Sequence, residues 1–360
     1  MSIDFRKFDS KIELDVQREL FKECFPECVD TPVISNDHYH WKFHSKKGEM
    51  QSAEYTANSE ECILGYYSAI PYQYRFSGKI VNAAMVCDVM TGVKARGKGV
   101  FTKLGIYSTE EFAKQGFDFT TGYPIRKEVI PGHIKAGWEI NFELPLYGRF
   151  IKFNSFLKKK GIAFLGPLIN FIWDCSTGLL NFVLLPRNTK LKIETFTSKS
   201  IENINGLTEF YAEWGNEIEI SLVKDLDFLK WRLGAPEKSY YILTLLDENK
   251  IVGVLIAREV VKEGVPCIGI LDISLLKTHY SYANFLTNEI INVAKKRDIE
   301  LLLIMINQSW LKKYKLSHNA FIKTPFKFYL IIKKLNTTIN SAILKNEKNW
   351  HLMWIDSDDL

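Results

Sequence analysis

Hydrophobic and polar residues alternate along the chain in patterns that predict short strands interleaved with amphipathic helices. Segments 10–25 and 100–112 place apolar residues at helical spacing, and segment 10–25 also fits a strand leading into its helix, which ends near Pro26. Segments 61–71, 72–81 and 85–93 are rich in strand-forming residues. This order predicts an α/β fold with a mixed, mostly antiparallel sheet flanked by helices.

The order of elements starts again in the second half. Four landmarks recur at similar spacing: Trp41, Gly65, Asp88 and the pair Gly137-Trp138 correspond to Trp231, Gly253, Asp272 and the pair Ala320-Phe321. An internal duplication explains this repetition better than chance likeness between two α/β halves. The sequence therefore predicts an N-terminal lobe over residues 1–147, a helical connector over 148–190 and a second lobe over 191–360.

The segment from Asp88 to Leu104 reads as a strand, a glycine-rich loop and the start of a helix. Arg96-Gly97-Lys98-Gly99 can turn sharply, and its glycines let backbone N–H groups approach an anion. The following helix N-terminus adds partial positive charge. A basic turn without a ligand is the alternative, because short glycine motifs recur by chance.

Val93–Phe101 resembles the acyl-CoA-binding loop of the GNAT superfamily of N-acyltransferases, and the element order of the first lobe resembles the whole GNAT unit. Lys94 stands where that family prefers Gln or Arg. The resemblance implies tandem GNAT-like lobes, acetyl-CoA or another acyl-CoA as cosubstrate, and no metal. It implies that the cofactor contacts Val89, Met90, Thr91, Val93, Lys94, Arg96, Gly97, Lys98, Gly99, Val100 and Phe101. Ser274–Tyr282, the matching stretch of the second lobe, has no glycine, which predicts one cofactor site and a degenerate second lobe.

Acyl transfer to an amine needs a neutral amine, a stabilised oxyanion and a proton for the departing thiolate. Asp88 lies among apolar strand residues and is the candidate base or ammonium anchor. The family often places a tyrosine four residues before a Gly-Phe pair as the acid. Here His133 occupies that position, in a Pro-Gly turn, so His133 and Tyr123 are both candidate acids. A backbone N–H near Val93 is the expected oxyanion donor.

The acceptor is expected to be a small molecule with a primary amine. Glu139 and the distal pair Asp356 and Asp358 are candidates to bind its cationic group, and Trp41 is a further candidate contact. Two tryptophans and a methionine predict that the C-terminal tail docks rather than frays. A Trp plus Asp-Ser-Asp ending resembles bacterial tandem GNAT proteins of surface-polysaccharide pathways, which suggests an amino sugar or nucleotide sugar.

Composition narrows the remaining alternatives. The chain has 47 Lys and Arg against 42 Asp and Glu, which is too small a surplus for a nucleic-acid-binding protein. The six cysteines form no disulfide framework, and the polar N-terminus predicts a cytoplasmic location. Two other functions stay open: a non-catalytic acyl-CoA-binding protein, suggested by the missing tyrosine, and an aminoacyl-tRNA-dependent transferase, which the intact loop and mild charge disfavour.

Two further segments suggest ligands or surfaces. Asp37–His44 holds three histidines, but aromatic neighbours favour packing over a metal site. Lys158-Lys159-Lys160 precede a broken apolar run that ends near Leu185. Residues 158–185 either touch a membrane surface or form a helical hairpin packed between the lobes, and the interruptions at Pro167, Asp174 and Gly178 favour the hairpin.

Overall fold

Strands and helices alternate through both halves of the chain. The computed structural model describes residues 3–60, 62–184 and 190–358. The first half contains β1 (Asp4–Lys7), α1 (Ser10–Cys24), α2 (Asn36–His44), β2 (Ala53–Asn58), β3 (Ile63–Phe76), β4 (Lys79–Thr91), α3 (Val100–Lys114), β5 (Phe119–Gly122), α4 (Ile130–Lys135), β6 (Glu139–Phe150), α5 (Asn154–Lys159) and α6 (Gly166–Leu184). The second half contains β7 (Leu191–Thr197), α7 (Leu207–Asn216), β8 (Ile220–Leu222), α8 (Leu226–Leu233), β9 (Tyr241–Asp247), β10 (Lys250–Lys262), β11 (Val265–Leu275), α9 (Ala283–Lys295), β12 (Leu301–Met305), α10 (Gln308–Lys313), β13 (Ile322–Lys334), α11 (Ser341–Lys345) and β14 (Trp350–His351).

These elements form two compact units. The first comprises residues 1–143, 235–237 and 328–349, and the second comprises residues 144–234, 238–327 and 350–360. The bounds 1–147, 148–190 and 191–360 stay a prediction from the sequence, and residues 185–189 of that connector lie outside the described residues.

A mostly antiparallel sheet forms the centre of each unit. In the first unit the strand order is β1-β2-β3-β4-β5-β13, in which the β4–β5 pair is parallel and the other neighbouring pairs are antiparallel. In the second unit the order is β7-β9-β10-β11-β12-β6, in which the β11–β12 pair is parallel, and the short strands β8 and β14 form a further parallel pair. The two sheets therefore share one topology, with the last strand of each supplied by the C-terminal part of β13 or of β6.

The structure confirms the predicted duplication. Gly65 pairs with Thr91, three residues after Asp88, and Gly253 pairs with Leu275, three residues after Asp272. Gly137 and Ala320 both adopt left-handed φ, at +88° and +57°, just before the next strand. A left-handed φ at a non-glycine residue is uncommon, so its recurrence at the predicted partner of Gly137 supports a common ancestral unit.

Two details of the predicted elements are wrong. The strand before α1 is Asp4–Lys7, so residues 10–24 are helical throughout. Residues 63–76 form one strand, whereas the sequence predicted two strands that meet at Pro71, and Glu61 at the start of that prediction lies outside the described residues. Pro71 lies beyond the pairing of β3 with β2, which ends at Ala69, and it pairs with Ala84 of β4.

Helix α6 is exposed, which contradicts the predicted packed hairpin. The stretch Ala163–Val183 is long and apolar enough to cross a membrane by length and composition, and 11% of its most apolar window is buried in the protein. The predicted interruptions at Pro167, Asp174 and Gly178 all lie inside a continuous helix. Pro167 fits there because it occupies the first turn, where its missing N–H has no intrahelical partner to lose.

Candidate active site

A β-bulge interrupts β4 at Asp88. Tyr66 pairs with Met90 and Ser68 pairs with Cys87, so Asp88 and Val89 together face the single residue Tyr67. Asp88 has a left-handed φ of +46°, a conformation that Asp tolerates better than most side chains. The bulge therefore re-aims the strand just before the glycine loop.

Beyond the bulge, β4 leaves its parallel neighbour. β4 pairs with β5 from Ala83 to Val86 and then continues to Thr91, whereas β5 ends at Gly122. The edge of β4 from Cys87 onward is therefore not paired with β5, and the two strands open a gap at their C-terminal ends. Such an opening at the carboxyl ends of parallel strands is a usual place for a ligand in α/β sheets.

The glycine loop has the predicted backbone. Val93–Ala95 form a short 3₁₀ turn, and Gly97 and Gly99 have φ of +74° and +76°. A Cβ added at either glycine would meet nothing within 4 Å, so the left-handed backbone, and not crowding, requires glycine there. Gly99 is the N-cap residue of α3 and supplies no side-chain cap. The first N–H groups of this 15-residue helix therefore donate no hydrogen bond to a capping side chain.

The loop, the β4 edge and α4 enclose a cleft of about 640 Å³. Its size is typical of small-molecule sites. Apolar side chains from β4, the end of α1, the start of α3 and the turn before α4 form one part of the wall, and Arg96, Arg126 and Lys135 give the lining positive charge. Arg126 donates to the Cys24 carbonyl at 2.9 Å and pairs with Glu27 at 2.5 Å, which ties the segment after β5 to the end of α1.

Most of the predicted cofactor residues line this cleft. The lining includes Val89, Met90, Thr91, Arg96, Gly97, Gly99, Val100 and Phe101. Val93, Lys94 and Lys98 are exposed on the loop but are not part of the lining. The Val93 N–H itself donates to Glu23 Oε1 at 2.9 Å, and an oxyanion donor near this position stays a prediction.

Asp88 belongs to a polar cluster next to the bulge. Its Oδ1 lies 2.8 Å from Lys42 Nζ, and both side chains are largely buried. Nearby, Tyr39 and Tyr66 donate to Glu54 Oε2 at 2.6 and 2.5 Å. Burial raises the pKa of the Glu54 carboxyl, the two tyrosine hydroxyls oppose that rise, and the charge of Asp88 adds to it.

Arg18 completes this cluster from α1. Its Nε donates to Gln17 Oε1 at 2.6 Å, and its guanidinium lies over the Phe21 and Tyr39 rings. Burial lowers the pKa of Arg18, while the charges of Asp88 and Glu54 counteract that effect. The cluster thus contains two carboxyl groups, of Asp88 and Glu54, and two basic groups, of Arg18 on α1 and Lys42 on α2.

His133 is enclosed by aromatic side chains, and its role as the acid stays a prediction. It is 5% exposed and lies among Phe101, Trp138 and Tyr67, whose hydroxyl is 3.5 Å from Nδ1. Burial lowers its pKa to about 4, so the ring is neutral at pH 7 and has no imidazolium proton to give. Tyr123, the other candidate acid, follows β5 and is buried; its role stays a prediction.

The predicted acceptor contacts Trp41 and Glu139 are not part of the cleft lining, and the acceptor-binding role of all four residues stays a prediction. Glu139 is on the surface and forms an ion pair with Lys345. Trp41 lies on α2 with its ring 5.0 Å from the His38 ring, among the aromatic contacts that the sequence favoured over a metal site. Asp356 is fully buried and accepts the Met353 N–H at 2.9 Å, whereas Asp358 is exposed.

The sequence analysis missed Glu54 and the α1 and α4 walls of the cleft. Glu54 occurs in a strand with no motif around it, and only its burial between two tyrosines marks it as unusual. For Gly132, the Pro-Gly pair in the sequence was a signal that could have indicated this wall of the cleft. An added Cβ there would lie 2.6 Å from the Phe101 ring, so glycine lets α4 approach α3.

Comparison with known proteins agrees with this geometry. Residues 6–140 match the family described as "Acetyltransferase (GNAT) domain". A search of curated proteins returned no match. Among solved structures, a "probable N-acyltransferase" from Enterococcus faecalis has a TM-score of 0.64 at 15% identity, covering 93% of this chain and 73% of its own.

Two further structures show the same fold. A GCN5-related N-acetyltransferase from Anabaena variabilis has a TM-score of 0.64 at 13% identity, with coverage of 93% and 73% of the two chains. N-myristoyltransferase from Saccharomyces cerevisiae, solved with bound myristoyl-CoA, has a TM-score of 0.58 at 11% identity, with coverage of 92% and 79%. The family match covers the bulge, the glycine loop and α3, and the fold likeness extends over both units. Residues 6–140 therefore match a GNAT acetyltransferase domain, and the likeness over both units is one of fold.

Proposed function

We propose that this protein is an acyl-CoA-dependent N-acyltransferase that acylates the primary amine of a small acceptor. The observation that carries the proposal is the cleft lined by the C-terminal end of β4, the glycine loop, the uncapped start of α3 and residues between Arg126 and Lys135. Acetyl-CoA is the proposed donor, and an amino sugar or nucleotide sugar is the proposed acceptor. The resemblance of the C-terminal tail supports that acceptor class.

The residues around the cleft suit the two ends of a thioester cofactor. The N–H groups that begin α3 suit its pyrophosphate, and the exposed basic side chains of Lys94, Arg96 and Lys98 add charge of the right sign. Val89, Met90 and Phe101 give the lining an apolar part for the thioester arm. When bound, the cofactor supplies an activated acyl group.

The chemistry requires a proton to leave the acceptor amine. The amine nitrogen then attacks the thioester carbon, the new C–N bond replaces the C–S bond, and the thiolate leaves and takes up a proton. We assign Asp88 as the anchor or base for the amine, because the bulge places it between the polar cluster and the Val89–Thr91 edge of the cleft. Glu54 acts on this site through its charge and through Tyr39 and Tyr66, which it orients.

A second function has one observation in its favour. His133 occupies the position at which the GNAT family often places the acid, and it is neutral and surrounded by aromatic rings. A protein that binds acyl-CoA without turning it over would have no need of a proton donor there. We keep this non-catalytic reading as the alternative. We further propose a cytoplasmic location, where acyl-CoA is available.

Activity with a panel of amines separates the two functions. The purified protein is incubated with acetyl-CoA or myristoyl-CoA and with amino sugars, nucleotide amino sugars, polyamines and amino acids. We expect amine-dependent release of free thiol and an acylated product detectable by mass spectrometry. Calorimetric binding of acyl-CoA with no thiol release across the panel would contradict the enzymatic proposal and support the binding protein.

A further inference from the structure

Helix α6 packs against the second unit with its polar side. Trp173 Nε1 donates to the Phe150 carbonyl at 2.7 Å, and Asn181 Nδ2 donates to Asn288 Oδ1 at 3.1 Å. Asp174 forms an ion pair with Lys295 at 2.8 Å, and Thr177 is 5% exposed. These four residues recur at helical spacing, so one face of α6 is fixed to the protein from Trp173 to Asn181.

The other side of α6 carries large apolar residues into solvent. Their exposed fractions lie between 54% and 67%, and they follow the spacing of a single helical stripe: Leu168, Phe171, Ile172, Leu179, Phe182 and Val183. An ordinary surface helix turns its apolar stripe to the core and its polar face to water. Here the arrangement is reversed, and contiguous exposed apolar surface of this kind marks an interaction site.

Exposed basic and apolar residues directly precede α6 in the chain. Lys158, Lys159 and Lys160 are all exposed. They lie in the chain between Phe156, which is 49% exposed, and Phe164, which is 78% exposed. Lysines interleaved with protruding apolar side chains fit a partner that is anionic at its surface and apolar just below.

We propose that α6 and the lysine run 158–160 bind the surface of an anionic lipid bilayer, with α6 lying in the plane of the interface. The apolar stripe enters the acyl boundary, and the lysines contact acidic headgroups. The hydrogen bonds and the ion pair on the opposite face hold α6 on the protein, so it does not span the bilayer. The proposal is independent of the acyl-transfer function, because it rests on residues outside the cleft.

Vesicle co-sedimentation tests the proposal with the full chain. The probes are phosphatidylcholine vesicles with and without 30% phosphatidylglycerol. We expect binding to the anionic vesicles, weakened by salt. The change of Lys158, Lys159 and Lys160 to Gln should lower the partition coefficient on anionic vesicles on the order of 100-fold. The pair Phe171→Ser and Phe182→Ser should lower it by about 100-fold on the same vesicles.

A matched control removes exposed apolar residues elsewhere. Ile12 and Val261 are 80% and 70% exposed, so Ile12→Ser with Val261→Ser should leave vesicle binding unchanged. Unaltered thermal melting of each variant shows that the fold is retained. Absence of binding to anionic vesicles, or equal loss in the control, would overturn the proposal. It would also be overturned by a dimer in light scattering that Phe171→Ser and Phe182→Ser dissociate, since the stripe would then cover a second copy of the chain.

Discussion

Lys42 Nζ lies 2.8 Å from Asp88 Oδ1, and the two side chains are 8% and 14% exposed. The pair joins α2 to the bulge of β4, the point where the sheet opens toward the cleft. In the second unit, Asp272 is bound in the same manner by Lys224 at 2.6 Å. The degenerate unit has thus kept a strand carboxylate and a lysine partner, but it has no glycine loop after them.

Removal of either partner should destabilise the protein, because each leaves a buried charge without its counterpart. We expect Asp88→Ala to lower the free energy of unfolding by about 3 kcal/mol and Lys42→Ala to lower it by a similar amount. The double variant should lose clearly less than the sum of the two. Urea unfolding of the four proteins measures this coupling, and strictly additive losses would show that the pair makes no net contribution.

The role of Asp88 in chemistry is tested by a change that keeps its shape. Asp88→Asn retains the volume of the side chain but removes its charge and its basicity. We expect kcat to fall by about 100-fold while the dissociation constant of acetyl-CoA changes little. An unchanged kcat would show that Asp88 is only structural, and a large loss of acetyl-CoA binding would place it in cofactor binding.

His133 should affect stability at low pH rather than catalysis. Its pKa is lowered from 6.5 to about 4, so between these values the unfolded chain binds a proton that the native protein does not. The free energy of unfolding should therefore fall as the pH drops through this window, by about 3 kcal/mol from this residue. His133→Leu should remove that part of the slope.

The same variant separates packing from proton donation. His351 is also buried with a lowered pKa and acts in the same direction, so the quantity to compare is the difference between His133→Leu and the unaltered protein. We expect kcat of His133→Leu to stay within about threefold at pH 7. A fall of 100-fold or more would restore His133 as the acid.

The close approach of α4 to α3 depends on Gly132. In Gly132→Ala the new Cβ would lie 2.6 Å from the Phe101 ring, which must then move within the cleft lining. We expect a loss of about 2 kcal/mol in the free energy of unfolding and weaker acyl-CoA binding. Phe101→Leu in the same protein should recover most of the stability. No recovery would indicate that the clash is not the cause.

The fold could be predicted because the hydrophobic pattern, the glycine positions and the internal repeat all indicate the same arrangement of strands and helices. Gly65, Asp88 and Gly137 with their repeats placed the duplicated sheet, and Gly97 and Gly99 placed the loop. The roles of His133 and α6 could not be read in the same manner. Both depend on which neighbours surround a side chain. A histidine beside Pro-Gly is expected to be exposed, but Phe101 and Trp138 enclose His133. An apolar helix is expected to be buried, but α6 packs on the protein with its polar face.

Glu54 and Pro71 also show that local sequence does not reveal the neighbours of a residue. A carboxylate in a strand gives no sign of the two tyrosines that bind it, because Tyr39 lies on a helix and Tyr66 on the neighbouring strand. Pro71 predicted the end of a strand, but β3 continues past it to Phe76, although its pairing with β2 stops at Ala69. Long-range pairing, which local propensity does not contain, decided both cases.

We expect the glycine loop to bind the phosphates of acyl-CoA. Gly97 and Gly78 have the same left-handed φ, +74° and +80°, and at both an added Cβ meets nothing within 4 Å, but only Gly97 lines the cleft. Gly97→Glu and Gly78→Glu should therefore cost similar backbone strain, about 1–2 kcal/mol. Calorimetric titration with acetyl-CoA should show at least about tenfold weaker binding for Gly97→Glu, whose carboxylate faces the phosphates, and unchanged binding for Gly78→Glu. Equal affinity of the two variants would contradict the account.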